Sequence, residues 1–124
     1  MAEHENVALV REMNDAMKRG DMQALDGFIA DDVVWHEIGR PEPRRGKAEL
    51  QASGPVSDEY QIAWDAHDIL ASGDHAVALM NATATRGTKT LHYRTAEIYH
   101  IRDGQIAERW AFSDDTGAIR DFFA

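Results

Sequence analysis

Residues 90–113, TLHYRTAEIYHIRDGQIAERWAFS, decide the fold. Two runs alternate large apolar and polar side chains on either side of Asp103-Gly104. That dipeptide, flanked by such runs, is the strongest short-range signal for a β-hairpin. A two-residue loop fixes the register. Arg102 then opposes Gln105, Ile101 opposes Ile106, Tyr99 opposes Glu108, Glu97 opposes Trp110 and Thr95 opposes Phe112. One face of the hairpin would carry Leu91, Tyr93, Thr95, Glu97, Tyr99, Ile101, Ile106, Glu108, Trp110 and Phe112. The other would carry His92, Arg94, Ala96, Ile98, His100, Ala107, Arg109, Ala111 and Ser113. The first face is richer in large apolar groups, so it is expected to be concave and covered by helices. Glu97 then stands in the middle of an aromatic surface. A buried carboxylate must find a partner or give up its charge.

Working back from this hairpin, the same period of two runs through Tyr60–Ala71 and His75–Arg86, with turns at Ser72-Gly73-Asp74 and Arg86-Gly87-Thr88. Upstream the period becomes helical. Residues 3–19 place Val7, Val10, Met13 and Met17 on one stripe and end at Gly20. Asp21 is the candidate cap of a second helix reaching about Ala30, with Leu25, Phe28 and Ile29 on its apolar side. Residues 33–38 read as a short strand, 39–46 as a loop, and Lys47 to Ser53 as a short helix ended by Gly54-Pro55. Thr116 to Phe123 reads as a last helix with Ile119, Phe122 and Phe123 buried. Helices, a strand, a helix and a run of long antiparallel strands give an α+β domain, one across residues 1–124, with helices on one face of a curved sheet.

Composition narrows the function. The chain has no cysteine, which excludes disulfides and thiolate chemistry and fits a reducing cytoplasm. Its net charge is −9, which argues against nucleic acid and anionic membrane surfaces as partners. No apolar run approaches the ~18 residues that a membrane span needs, and no secretory signal is visible. Six histidines are present without a His-Glu-x-x-His pattern, so no metal is expected. Arg40, Arg44, Arg45 and Lys47 cluster around two prolines and read as a solvated loop; the alternative is a lid that attracts an anionic substrate.

On the first strand, parity separates Trp35 and Glu37 from Val34 and His36. If Trp35 is buried, Glu37 is a second carboxylate beside the cavity of Glu97. The opposite choice brings in His36.

Several segments together resemble a known family. They are Gly20-Asp21 with Leu25, Ala30-Asp31-Asp32-Val33-Val34-Trp35-His36, Gly39, Gly46, Asp74-His75-Ala76-Val77-Ala78-Leu79, and Asp103-Gly104-Gln105-Ile106-Ala107-Glu108 with Trp110. Their order and spacing look like the SnoaL-like branch of the NTF2-like superfamily. The resemblance covers nearly the whole chain. It implies a cone-like pocket between sheet and helices, a homodimer, and acid–base chemistry without metal or organic cofactor. Compared with ketosteroid isomerases, Glu37 stands at the general base and Glu97 at the oxyanion-binding acid. Met13 stands where that family has a tyrosine on the first helix. Methionine cannot donate a hydrogen bond, which argues against steroid isomerisation as such. Tyr93 or Tyr99 could substitute. Compared with polyketide cyclases, Trp110 and Asp114 stand at the acid–base positions near the chain end; Asp114 is equally a candidate cap of the last helix. Limonene-epoxide hydrolases need an Asp-Arg-Asp arrangement in the pocket, and the register above puts Arg94 and Arg109 on the wrong face for it.

Three functions follow. The leading one is a cofactor-independent isomerase, cyclase or dehydratase acting on an apolar, enolisable or polyketide-like small molecule. Glu37 and Glu97 would carry the chemistry, with His36 and Asp114 as further acid–base candidates. Trp35, Tyr93, Tyr99, Trp110 and Met13 would line the substrate cavity. The second is a binding protein for an apolar ligand, and the third a dimeric accessory domain.

Overall fold

The computed structural model describes residues 4–52 and 60–124. The expected stop at Gly54-Pro55 lies outside them. Helix α1 (Glu5–Arg19) begins where His4 Nδ1 accepts from the Asn6 amide at 3.1 Å. It ends at Gly20, whose φ of 68° is a left-handed conformation that favours glycine. Asp21 caps α2 (Met22–Phe28) by accepting from the Ala24 amide. The remaining elements are β1 (Ile29–Trp35), β2 (Arg44–Arg45), α3 (Lys47–Ala52), β3 (Gln61–Ala71), β4 (His75–Arg86), β5 (Lys89–Arg102), β6 (Gln105–Ser113) and α4 (Thr116–Phe123).

The strands form one curved sheet in the order β2-β1-β6-β5-β4-β3. Every pair is antiparallel except β1 and β6, which run parallel. The α+β architecture with helices on one sheet face is the one the sequence implies. Two boundaries differ. Ile29 and Ala30, expected on the second helix, open β1 instead, because Ile29 pairs with Ile106 and both are buried. The strand therefore ends at Trp35 and leaves His36 and Glu37 just beyond it.

Helix α1 lies on the inner face of β3 and β4. Its Val10, Met13 and Ala16 are fully buried, and full burial of one such valine or methionine contributes about 1.5–3 kcal/mol. The facing positions of β4 are Ala76, Ala78, Met80, Ala82 and Ala84, all buried. Four alanines leave α1 room to sit close to the sheet. The core continues into Tyr99, Ile101 and Ile106.

The hairpin turn forms as expected: Asp103 (φ 54°) and Gly104 (φ 74°) both take positive φ, as a type I′ turn requires. Arg102 opposes Gln105 and Ile101 opposes Ile106. Beyond that the register departs from expectation. His100 pairs with Glu108, Tyr99 with Arg109, Ile98 with Trp110 and Glu97 with Ala111. Ala107 is an extra residue, a β-bulge, and it is buried next to buried Ile106. One extra residue exchanges the faces of everything that follows. Arg109, Ala111 and Ser113 therefore share the inner face with Glu97, while Glu108, Trp110 and Phe112 are outside.

Helix α4 is capped by Asp115, which accepts from the Ala118 amide at 3.0 Å. Asp114 is not the cap, contrary to that candidate reading. Ile119 is buried, Phe123 meets Tyr60 edge-on, and Arg86 donates to the carbonyls of Phe122 and Ala124. No helix among the described residues is long and apolar enough to cross a membrane.

Candidate functional site

Glu97 sits on the inner face between Ala78 of β4 and Ala111 of β6. Both directly paired neighbours are small, and the side chain that reaches the carboxylate from β6 is Arg109. The bulge at Ala107 is what brings Arg109 to it. Arg109 donates to Glu97 Oε1 through Nη2 at 2.9 Å and Nε at 3.3 Å. Tyr99 donates its hydroxyl to the same oxygen at 2.9 Å. Oε2 is less engaged: Thr95 Oγ1 lies 3.4 Å away, a long hydrogen bond. The side chains of Arg109 and Glu97 are only 12% and 15% exposed. Desolvating two charges costs several kcal/mol each, and the pair holds because each satisfies the other.

Arg109 is itself fixed from two sides. Its Nη1 donates to the His36 carbonyl at 2.8 Å, and its guanidinium lies 4.7 Å from the Trp35 ring centroid, a cation–π distance. The last turn of β1 thus carries the arginine that carries Glu97. Burial pushes the Tyr99 hydroxyl well up, with the Glu97 charge adding to it. Tyr93, also on the inner face, is raised for the same two reasons in the same order. Both phenols keep their protons at neutral pH, and Tyr99 acts as a donor.

The other expected residues lie elsewhere. Glu37 does not meet Glu97; it accepts from Arg44 Nε at 2.9 Å, with Arg40 Nη1 at 3.9 Å. Arg40, in the loop, and Arg44, on β2, thus hold a carboxylate. His36 points outward, where Nε2 meets Glu108 Oε2 at 2.7 Å and the ring stacks on Trp110 at 5.7 Å. Trp110 therefore lies on the outer face and not the inner one, a direct effect of the bulge. Asp114 accepts from the Arg94 backbone amide and side chain, and these hold its carboxyl below the usual range. It borders a cleft of about 330 Å³ with Ala82, Thr83, His92, Tyr93 and Arg94, at which residues of both sheet faces meet. Met13 is fully buried in the core under the sheet. Trp35, Tyr93, Tyr99 and Glu97 are the expected residues that the inner face does gather.

Arg109 is the functional residue that the sequence reading placed on the wrong face. The available cue is charge: Glu97 needs a cation, and Arg109 is the cation one residue out of register with it. Among the described residues, no group of three or more His, Asp or Glu side chains could hold a metal ion.

A family model described as a SnoaL-like domain matches residues 10–109. No curated protein sequence matches the chain. Among solved structures, Bal32a, from a soil-derived mobile gene cassette, aligns with a TM-score of 0.81 at 21% identity over 97% of each chain. An LEH-like epoxide hydrolase of M. tuberculosis aligns with a TM-score of 0.73 at 20% identity over 96% of this chain and 86% of that one. IdmH, a candidate polyketide cyclase from Streptomyces antibioticus, aligns with a TM-score of 0.71 at 21% identity over 98% of this chain and 100% of its own. At these identities the likeness is one of fold.

Proposed function

The chain belongs to the SnoaL-like domain family, and from that premise we propose that it is an acid–base enzyme for a small apolar molecule, of enolisable or polyketide-like character, with Glu97 as its base. The observation that carries this reading is the asymmetry of Glu97. One oxygen is anchored by Arg109 and Tyr99, and among the described residues the other has only the long contact from Thr95. In such a reaction Oε2 takes a proton from a carbon next to a carbonyl, and the electron pair moves to the carbonyl oxygen. In this reading Tyr93, an inner-face phenol that holds its proton, donates to that oxyanion. Arg109 positions the base and keeps its charge compensated. This differs from a two-carboxylate mechanism with Glu97 as a neutral acid, because every contact to Glu97 comes from a donor. It also falls short of an Asp-Arg-Asp arrangement, since Glu97 is the carboxylate that Arg109 holds.

The test is proton exchange. The protein is incubated in D2O with a panel of cyclic and aromatic ketones, and deuterium incorporation next to the carbonyl is followed by NMR. Glu97→Gln is expected to abolish exchange while leaving ligand affinity close to that of the native chain. A native chain that binds ketones and exchanges none of them rules out the enzyme.

A second reading is favoured by one observation: Glu37 and Glu97 are both held in ion pairs. A binding protein would have such an inert interior, and Glu97→Gln would then leave its only measurable property unchanged.

We also propose a homodimer through the outer sheet face. Leu70 and Phe112 are 53% and 60% exposed there, beside the half-buried Val77, Leu79, Ala96 and Ile98. Light scattering behind size exclusion should report a dimer for the native chain and a monomer for Phe112→Asp.

A further inference from the structure

We propose that a cleft between α1 and β3, separate from the Glu97 cluster, binds a small carboxylate. The cleft is about 180 Å³ and is lined by Arg11, Asn14, Asp15, Lys18, Trp64 and Asp65, with Ala66 and Ile69. Two of these side chains are anomalous. Among the described residues, Asn14 Nδ2 and Trp64 Nε1 are buried donors without a hydrogen-bond partner. Asn14 as a whole is only 5% exposed. A buried donor left unpaired costs about 1–3 kcal/mol, and native interiors keep few of them. Here two come from different elements, one on a helix and one on a strand, and both border the same cleft. One acceptor-bearing ligand would satisfy both.

The surrounding groups narrow the chemistry. Lys18 Nζ lies over the Trp64 ring, 5.9 Å from its centroid, so an ammonium borders the same cleft as the two donors. A carboxylate offers two acceptor oxygens and the charge that an ammonium answers, whereas a neutral carbonyl uses only the donors. The size of the cleft suits an acid of a few carbons, well below the ~300 Å³ at which drug-sized pockets begin. Both nitrogens are shielded from solvent, so the ligand engages them through a turn of the Asn14 amide and a tilt of the Trp64 indole toward the cleft. Asp15 and Asp65 on the same lining would repel a bare anion and attract an acid that also carries a cationic group. The carboxylate is common to a simple organic acid and to an amino acid, and the test separates the two.

The experiment uses the 15N-labelled full chain and its 1H–15N spectrum. Propionate, alanine and the uncharged propionamide are titrated through the millimolar range. The Trp64 indole and Asn14 side-chain resonances should move and saturate with propionate or alanine, and not with propionamide. Tighter binding of alanine assigns a role to the aspartates; tighter binding of propionate assigns a simple acid, and either supports the site. Lys18→Gln, a surface change that leaves the fold alone, should weaken binding by several-fold. Trp64→Phe keeps the ring, removes the donor and should weaken it likewise. The proposal is overturned if no saturable shift occurs at these two groups, if propionamide binds as well as propionate, or if Lys18→Gln leaves the affinity unchanged.

Discussion

Arg109 on β6 and Glu97 on β5 form a buried ion pair, Nη2 to Oε1 at 2.9 Å, that exists because Ala107 is one residue more than the hairpin needs. Losing one partner of such a pair strands the other charge. Arg109→Met should therefore destabilise the chain by about 3–5 kcal/mol in urea unfolding. The double change with Glu97→Gln should recover a large part of that loss. Additive effects of the two changes would mean that the pair is not coupled.

Deleting Ala107 removes the bulge. The regular hairpin that results still pairs His100 with Glu108 and Tyr99 with Arg109, so Arg109 stays on the inner face and Trp110 on the outer one. Glu97 keeps its cation, and what is lost is the local kink and twist of the bulge. The deletion variant should therefore keep the native near-ultraviolet circular dichroism, and loss of that signal would show that the bulge itself is needed for the fold.

Tyr99 governs stability in alkali. Its folded hydroxyl titrates well above the ordinary value near 10, mainly through burial. Above pH 10 the unfolded chain releases this proton and the folded chain retains it. Stability is thus complete below about pH 10 and falls as pH rises from there toward the folded value. Urea midpoints between pH 8 and 11 should decline for the native chain and decline less steeply for Tyr99→Phe.

Gly39 takes φ of 81°, and a Cβ there would meet Arg120 Cγ at 2.6 Å. Gly39→Ala combines backbone strain with a clash against α4. It should lower the melting temperature, by an amount corresponding to about 1–3 kcal/mol. Arg120→Ser in the same chain should relieve the steric part and leave the backbone part.

The helices and the long strands were legible in the sequence because each rests on local chemistry, whereas β2 lies in what the sequence reads as a loop. Gly20 and Asp21 separate the first two helices, and Asp103-Gly104 makes the turn. The pairing of Glu97 was not legible, because a bulge is decided by packing on both faces at once. Ala107 suits either face, so the alternation of residues 105–113 reads equally well in two registers. The same ambiguity moved Trp110 from the cavity to the stack with His36. Glu37 was misplaced for a different reason: β1 stops at Trp35, and strand parity says nothing about side chains beyond a strand's end.

The parallel pairing of β1 with β6 joins segments from opposite ends of the chain. Strands β3, β4, β5 and β6 are successive hairpin neighbours and can form as soon as each is synthesised. β1 has to wait for β6, and contacts so distant along the chain slow folding. Trp35 and the His36 carbonyl, which fix Arg109, arrive with β1. The interior carboxylate is therefore completed last, and a ribosome-bound chain that lacks β6 holds Glu97 with no counter-charge. Pausing translation before residue 105 should leave a nascent chain that chaperones bind, and release should follow within a few residues of Arg109 emerging.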